Sequence, residues 1–195
     1  MTRPLAVAIT GGISAGKTET LRSFARHGAA TVSSDEIVHH LLATDDDVRS
    51  VLVEHFGERI VGEDGRPDRA RLAEIVFADR TELAFLESVL HPIVILEYLN
   101  WREQLGLLER PPKVCVTEVP LLYEVGGEVR FDRVVVVTAR DDLRAARRHS
   151  PADHRETRLI PDEEKVRRAD YVYVNDGTID ELDAFVAGVM DELDP

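Results

Sequence analysis

The sequence predicts an α/β fold built around a parallel β-sheet. Short apolar runs alternate along the chain with longer segments whose apolar residues recur at helical spacing, as in strands joined by helices. The run at 133–138 contains four consecutive valines, which is typical of a central strand covered on both faces. The first apolar run leads into a glycine-rich loop and then into a helical segment. The 195 residues suit one domain that carries an inserted subdomain.

Five apolar runs are predicted to be the strands of this sheet. They are Leu5–Thr10, Ala30–Ser33, Val114–Pro120, Arg133–Thr138 and Asp170–Val174. Helical spacing follows the first run until Gly28, and it follows the second run from Ile37 to Leu42. Asp180–Leu193 has the pattern of a closing amphipathic helix.

Only helical patterns occur between the second and the third predicted strands. In this part of the chain we predict a polar turn at Gly62–Pro67, and we expect Pro92 to kink a helix or to restart it. We therefore predict a core at about 1–44 and 112–195 and a helical insertion at about 45–111.

The loop after the first strand fits the phosphate-loop pattern G-x-x-x-x-G-K-[ST]. Such a loop can turn several backbone N–H groups inward, where they surround a phosphate at the helix N-terminus. Lys17 would place its ammonium group between the β- and γ-phosphates of a nucleotide, and the Thr18 hydroxyl would ligate the Mg²⁺ that bridges them. Glu19 would contribute mainly its backbone N–H. The predicted nucleotide-binding residues of the loop are Gly11, Gly12, Ile13, Ser14, Ala15, Gly16, Lys17, Thr18 and Glu19.

The alternative for this loop is a glycine-rich turn that matches the pattern by coincidence. The choice of basic residue argues against coincidence, because Lys17, Lys113 and Lys165 are the only lysines among 24 basic residues. A basic residue chosen at random from this chain would be lysine in 3 of 24 cases, about one in eight. The lysine at this position therefore favours nucleotide phosphate binding.

Two carboxylates lie near the ends of predicted strands. Asp35 follows the second strand and Glu118 lies near the end of the third. Open α/β sheets bind their ligands at the carboxyl ends of the strands. Asp35 could act on a substrate or cap the following helix, and Glu118 could organise Mg²⁺ or pair with an arginine. The pattern alone leaves both choices open.

The composition excludes several classes of protein. The formal net charge of −13, from 37 acidic and 24 basic residues, disfavours general affinity for nucleic acid or for an anionic membrane. Cys115 is the only cysteine, so neither an intramolecular disulfide nor a cysteine zinc cluster can form, and we expect it to be a small core residue. No stretch reaches the length of a membrane span. We expect a cytoplasmic protein.

The segment from Arg140 to Arg158 reverses the sign of charge. It contains six arginines against four acidic residues in an otherwise acidic chain. Such a segment could close over a polyphosphate, or it could be an exposed helix with paired charges.

The order of several short motifs resembles the dephospho-coenzyme A kinase family nearly from end to end. The matching pieces are Thr10-Gly11-Gly12-Ile13, Ser34-Asp35 with Ile37 and His39, Asp64-Gly65 with Arg69, Leu72 and Val76-Phe77, His91-Pro92, Val119–Glu124, Phe131–Val137, Glu163-Glu164-Lys165, Ala169–Val172 and Asn175. Each is weak alone, but in this order they are specific.

The resemblance implies a P-loop, nucleoside-kinase-like three-layer fold with a five-stranded parallel sheet, a helical acceptor-binding insertion and a short lid at about 140–160. It also implies ATP-dependent, Mg²⁺-requiring phosphorylation of the ribose 3′-hydroxyl of dephospho-coenzyme A, the last step of coenzyme A biosynthesis. The residue that matches Asp35 acts on the acceptor hydroxyl in that family, so the resemblance favours the catalytic role of Asp35.

The chain departs from the family pattern in three places. In the phosphate loop it has Ser14-Ala15 where the family often has a glycine with a small partner, which binding through the backbone should tolerate. It has Ser33-Ser34-Asp35 where the family usually has Asp-Ala-Asp, so one carboxylate is absent. The lid is several residues shorter, and Leu159-Ile160-Pro161 stands where Gln-Met-Pro is usual. Arg147 matches the first lid arginine. The second has no clear equivalent, and the candidates are Arg148, Arg155 and Arg158.

These observations give one assignment and two rivals. Asp35, Lys17 and Arg147 are the expected catalytic residues, Asn175 joins the loop in binding nucleotide, and Thr18 and Glu118 would hold the metal. The expected partner is the substrate dephospho-coenzyme A, with no nucleic acid and no membrane, for a monomer or small homo-oligomer. The rivals are another small-molecule P-loop kinase, of the nucleotide or shikimate type, and a catalytically weak nucleotide-binding protein.

Overall fold

A computed structural model describes residues 3–147 and 159–193 of the chain. Its five strands form one sheet in which every neighbouring pair is parallel, in the order β2-β3-β1-β4-β5. The predicted sheet is therefore confirmed. The strands are β1 Leu5–Gly11, β2 Ala30–Ser33, β3 Val114–Glu118, β4 Arg133–Thr138 and β5 Tyr171–Val174.

The described residues also form eight α-helices and two short 3₁₀ helices. The α-helices are α1 Lys17–Arg26, α2 Ser34–Thr44, α3 Asp46–Phe56, α4 Arg69–Ala78, α5 Arg80–Gly106, α6 Asp141–Arg147, α7 Asp162–Arg168 and α8 Ile179–Leu193. The 3₁₀ helices are Glu58–Ile60 and Gly127–Arg130. Among these described residues, no helix is both long enough and apolar enough to cross a bilayer.

The sheet is covered on both faces, which explains why its strands are continuously apolar. Val7 and Ile9 of β1 pack with Phe24 of α1 and Val186 of α8 in one cluster. Ala8 lies between Val7 and Ile9 on β1, and it packs on the opposite face of the sheet. The second cluster is completed by Leu122, Tyr123, Val134 and Val136, with Ile160, Val166 and Ala169 against it. The layers are thus helices, sheet, and a mixed layer of loop and α7.

The parallel register brings the strand ends to one edge. β1 lies between β3 and β4, with Ile9 opposite Glu118 and Gly11 opposite Val137. On the far side of β3, Ser33 at the end of β2 pairs with the same Glu118. This edge holds the loop between β1 and α1.

The chain divides into two compact units. One contains residues 1–33 with 101–195 and includes the sheet, and the other contains 34–100. The second unit is helical, as the sequence predicts, with Leu52, Phe56 and Ile60 at the centre of its own apolar cluster. It begins earlier than the predicted insertion because α2 lies in it, and the assignment of 45–111 as an acceptor-binding insertion stays a prediction.

A polar cluster around Asp183 joins the last helix of the sheet unit, α8, to α1. The Asp183 carboxylate accepts hydrogen bonds from the Ser23 hydroxyl at 2.7 Å and from the Arg26 guanidinium at 2.9 Å, and His27 Nε2 lies 3.1 Å away. These hydrogen bonds favour the ionised form and lower the pKa of Asp183 to about 2. The cluster therefore stabilises the helix that begins at the phosphate loop.

Replacing Asp183 by Asn should lower the melting temperature at neutral pH. The folded-state pKa lies below the ordinary value of about 4, so this stabilisation is present above about pH 4 and is lost as the pH falls through 2. The difference in melting temperature between wild type and Asp183→Asn should accordingly shrink from pH 5 to pH 2 in thermal unfolding followed by circular dichroism. Asp191→Asn, in the exposed last turn of the same helix, is the matched control. A difference that stays constant with pH would contradict the role.

Candidate active site

The loop between β1 and α1 adopts a conformation that requires glycine at both ends. Gly11 has φ of 143°, and a Cβ at this position would overlap the Val137 carbonyl oxygen of β4. Gly16, the N-cap residue of α1, has φ of 103°, and a Cβ there would overlap the Asn175 side chain. Ser14 also has a positive φ, of 60°. The two motif glycines are therefore dictated by a backbone turn and by close packing.

Carbonyl oxygens of this loop accept hydrogen bonds from side chains. Lys17 Nζ donates to the carbonyl oxygens of Gly11 at 3.1 Å and Gly12 at 2.8 Å. Asn175 Nδ2 donates to the Ala15 oxygen at 2.8 Å. The structure thus brings the predicted lysine and Asn175 to the same loop, although 158 positions separate them in the sequence.

The first turn of α1 carries the remaining loop residues. The Thr20 hydroxyl donates to the Gly16 carbonyl oxygen at 3.2 Å, which ties this turn to the loop. The Glu19 carboxylate pairs with Arg26 at 3.0 Å and Arg22 at 3.3 Å, and the hydrogen bond from Arg26 lowers the Glu19 pKa. Its side chain is engaged along the helix, and the predicted contribution of Glu19 through its backbone N–H stays a prediction.

Thr18 and Glu118 meet at the end of the sheet. The Thr18 hydroxyl lies 3.4 Å from Glu118 Oε2, and Glu118 is 5% exposed. A hydroxyl beside a buried carboxylate is the donor set that Mg²⁺ prefers. Among the residues that the structure describes, no group of three or more His, Cys, Asp and Glu could hold a metal ion. The two oxygens suit a hard cation such as Mg²⁺, and the assignment of Thr18 and Glu118 as its ligands stays a prediction.

Asp35 lies in the helical unit, in the first turn of α2. Helix α2 begins at Ser34, immediately after β2 ends, so Asp35 is the second helical residue and its side chain is exposed. It does not occupy the N-cap position that the alternative assigned to it. A carboxylate in the first turn of a helix interacts favourably with the helix dipole.

Arg147 ends α6 and reaches the loop after β5. Its Nη1 donates to the backbone oxygen of Asn175 at 3.2 Å. Arg147 thus contacts the residue that holds Ala15 of the phosphate loop. The three candidates for a second lid arginine, Arg148, Arg155 and Arg158, lie outside the described residues.

No motif in the sequence predicts the role of Arg144 of α6, which contacts the phosphate loop directly. Arg144 Nε donates to the Ile13 carbonyl oxygen at 3.1 Å, and its Nη1 lies 3.0 Å from Asp162 of α7. Its side chain is 14% exposed. The only signal in the sequence is its position three residues before Arg147, which places the two on neighbouring positions of a helix.

The sheet, the loop and the first turn of α1 together define a P-loop nucleotide-binding protein of the kinase type. A lysine and a threonine open a helix behind a glycine-rich turn at the end of a central parallel strand, which is the arrangement that binds nucleotide phosphates. The family model described as "Dephospho-CoA kinase" matches residues 5–181. The chain belongs to the dephospho-CoA kinase family.

Individual comparisons agree with this assignment. The dephospho-CoA kinase of Protochlamydia amoebophila is 37% identical over 194 residues, which cover 96% of this chain and 95% of that protein. The crystal structure of TT1252 from Thermus thermophilus has a TM-score of 0.79 at 31% identity, with both chains covered completely. Shikimate kinase from Aquifex aeolicus has a TM-score of 0.55 at 12% identity, and the alignment covers 96% of this chain and 97% of that kinase. This last similarity is one of fold alone.

Gly16→Ala should weaken nucleotide binding strongly. The added methyl group would strain a left-handed residue and displace the Asn175 side chain from Ala15. We expect the Kd for ATP to rise by more than about tenfold, which corresponds to about 1.4 kcal/mol, in calorimetric titration.

The matched control for this substitution is Gly28→Ala. Gly28 also has a positive φ, of 89°, but a Cβ there meets nothing within 4 Å. This variant should lose stability without losing ATP affinity per folded molecule. Equal loss of affinity in the two variants would mean that the contact with Asn175 is unimportant.

Proposed function

We propose that this protein transfers the γ-phosphoryl group of ATP to the ribose 3′-hydroxyl of dephospho-coenzyme A, giving coenzyme A and ADP. In this step the bond from the 3′-oxygen to phosphorus forms, the bond from phosphorus to the β–γ bridging oxygen breaks, and the hydroxyl proton leaves to a base. The observation that carries the proposal is the built phosphate loop Gly11–Thr18 with Lys17 and Asn175 on it. Membership of the dephospho-CoA kinase family supports the choice of acceptor.

The phosphate loop would bind and orient the donor. Lys17 Nζ is held at the carbonyl oxygens of Gly11 and Gly12, and with ATP bound we expect it to exchange these contacts for β- and γ-phosphate oxygens. In a site shielded from water, such a fixed charge stabilises the negative charge that develops on the transferring group. Arg147, through its position beside Asn175, would add a second positive charge.

Thr18 and Glu118 would hold Mg²⁺. Mg²⁺ held there would supply positive charge that offsets the charge of the phosphates. The role of the protein is to supply a hydroxyl and a buried carboxylate whose positions are fixed by α1 and β3, respectively. Without a cation, the buried Glu118 carboxylate would repel the triphosphate.

Asp35 is proposed as the base that accepts the 3′-hydroxyl proton. A carboxylate is suited to this step when it can reach the hydroxyl in an in-line geometry. The support for this role is the family resemblance at Ser34-Asp35 and the exposure of the side chain at the start of α2. Residence in the cytoplasm and the state of a monomer or small homo-oligomer remain predictions.

An acceptor screen tests the proposed function. ADP release from ATP and Mg²⁺ would be measured by a coupled assay with dephospho-coenzyme A, with shikimate, with nucleoside monophosphates and without acceptor. We expect release with dephospho-coenzyme A alone. Transfer to another acceptor in its place would favour a different small-molecule kinase, and tight ATP binding without any transfer would favour a nucleotide-binding protein of weak activity.

Asp35→Asn should separate catalysis from helix stability. It keeps the size of the side chain but removes the charge and the proton acceptor. If Asp35 is the base, kcat should fall by at least about a hundredfold, as loss of a general base typically causes, with the ATP Kd and the melting temperature little changed. If it only stabilises α2, the melting temperature should fall and kcat per folded molecule should not.

Glu118→Gln should raise the Mg²⁺ concentration needed for tight ATP binding. The substitution keeps the shape of the side chain but removes the charge that would attract the cation. Titration of ATP at several Mg²⁺ concentrations measures this without requiring turnover. Glu103→Gln, an exposed position on α5, is the charge-matched control. The metal role would be refuted by an unchanged dependence on Mg²⁺ in Glu118→Gln.

A further inference from the structure

Arg144 lies against the backbone of the phosphate loop. Its Nε donates to the Ile13 carbonyl oxygen at 3.1 Å, and a Cβ on Gly12 would lie 2.9 Å from its Cζ atom. Its side chain is 14% exposed, so the guanidinium is confined at this place. Arg144 is therefore held against the loop backbone, unlike an exposed arginine that only adds positive charge near the site.

This contact fixes the direction of one N–H group of the loop. The C=O and N–H groups of a trans peptide point in opposite directions, and no cis peptide occurs in the described residues. Because the Ile13 oxygen points to Arg144, the N–H of Ser14 points away from it. Asn175 acts in the same way on the next part of the loop, where its bond to the Ala15 oxygen turns the N–H of Gly16.

The conformation of Ser14 makes such a restraint useful. Its φ of 60° lies in the left-handed region, which side chains with a Cβ rarely adopt. A residue in this region persists where the surrounding structure holds it. The hydrogen bond from Arg144 acts on the peptide that joins Ile13 to Ser14, next to the strained residue.

Arg144 is in turn held by a chain of contacts that ends in the core. Its Nη1 donates to Asp162 Oδ2 at 3.0 Å, at the start of α7. Three residues further on, Lys165 is fully buried with its Nζ 2.7 Å from Glu124 Oε1. The same Glu124 oxygen accepts the Ile160 N–H at 3.0 Å. Both contacts fix the beginning of α7, and through Asp162 they fix the guanidinium.

We propose that Arg144 is a positioning residue, which turns the N–H of Ser14 toward the bound phosphates without itself contacting them. The proposal rests on the proposed function only in taking ATP and ADP as the nucleotides. Asp162 at 3.0 Å and Asp141 at 3.6 Å compensate the charge of Arg144, which suits a role through the backbone better than a role as a bare cation. Loop N–H groups serve phosphates that both nucleotides possess.

The test is calorimetric titration of Arg144→Met with MgADP and with MgATP. We expect the Kd of both nucleotides to rise by the same factor, about tenfold, as is common when a hydrogen bond to a charged group is lost. Arg144→Lys, which can still donate to Ile13, should recover part of the affinity for both. Asp162→Asn should weaken both to an intermediate degree, because it loosens the guanidinium without removing it.

Arg140→Met is the matched control. Arg140 lies just before α6, is exposed, and pairs with Asp142 at 3.0 Å, so this variant removes the same charge without touching the loop. Equal losses in Arg140→Met and Arg144→Met would reduce the effect to general electrostatics and overturn the proposal. A loss confined to ATP would also overturn it, since it would indicate direct contact with the γ-phosphate. Unchanged affinity for both nucleotides in Arg144→Met would do so as well.

The outcome is separable from that of the proposed function. The titrations need no acceptor, so the result for Arg144 stands even if wild type fails to phosphorylate dephospho-coenzyme A. Circular dichroism melting of each variant shows whether it is folded. If Arg144→Met unfolds, the comparison of Arg144→Lys and Asp162→Asn with wild type decides, and unaltered binding in both would reject the proposal.

Discussion

The site depends on the close pairing of β1 with β4 as far as Gly11. A side chain at this position would overlap the Val137 carbonyl oxygen, so β1 can remain in the sheet through Gly11 and leave it only at the next residue. The chain then has five residues in which to reverse and begin α1 at Lys17. Thr18 is the second residue of α1, and its hydroxyl lies next to Glu118 of β3, the strand beside β1. The close packing of Gly11 on Val137 thus sets where the phosphate loop begins.

Much of this fold could be predicted because its signals are local. The bounds of β2 and β4 agree with the sequence prediction, since polar residues or turns delimit both apolar runs. The restart predicted as one possibility at Pro92 is wrong, because α5 continues through it from Arg80 to Gly106. Proline has no N–H, so one carbonyl oxygen in the preceding turn of the helix lacks its usual hydrogen bond. Because Pro92 is exposed, water can donate to that oxygen instead. The sequence pattern shows the proline but not the direction in which its ring faces.

The sequence predicts some residues of the site but not others. The residues from Gly11 to Thr18 form one continuous motif, in which each residue type has a reason visible in the sequence. The contact of Arg144 with Ile13 spans 131 positions, and its partner Asp162 lies 18 positions away on another helix. No local pattern marks such a residue, because six arginines within the same segment have similar sequence surroundings. Tertiary packing of α6 and α7 on the loop distinguishes Arg144 from Arg140 four positions earlier.

The charges at the site explain how an acidic protein can bind a triphosphate. The chain carries a formal net charge of −13, and the buried Glu118 adds a negative charge beside the phosphate loop. Carboxylates also compensate Arg144, so the proposed attraction for phosphate comes from Lys17, from Arg147 and from the N–H groups at the start of α1. A buried carboxylate near a polyanion costs less free energy when a cation is bound beside it. If Glu118 holds the metal as proposed, nucleotide binding depends on the cation, and free ATP should be a poorer ligand than MgATP.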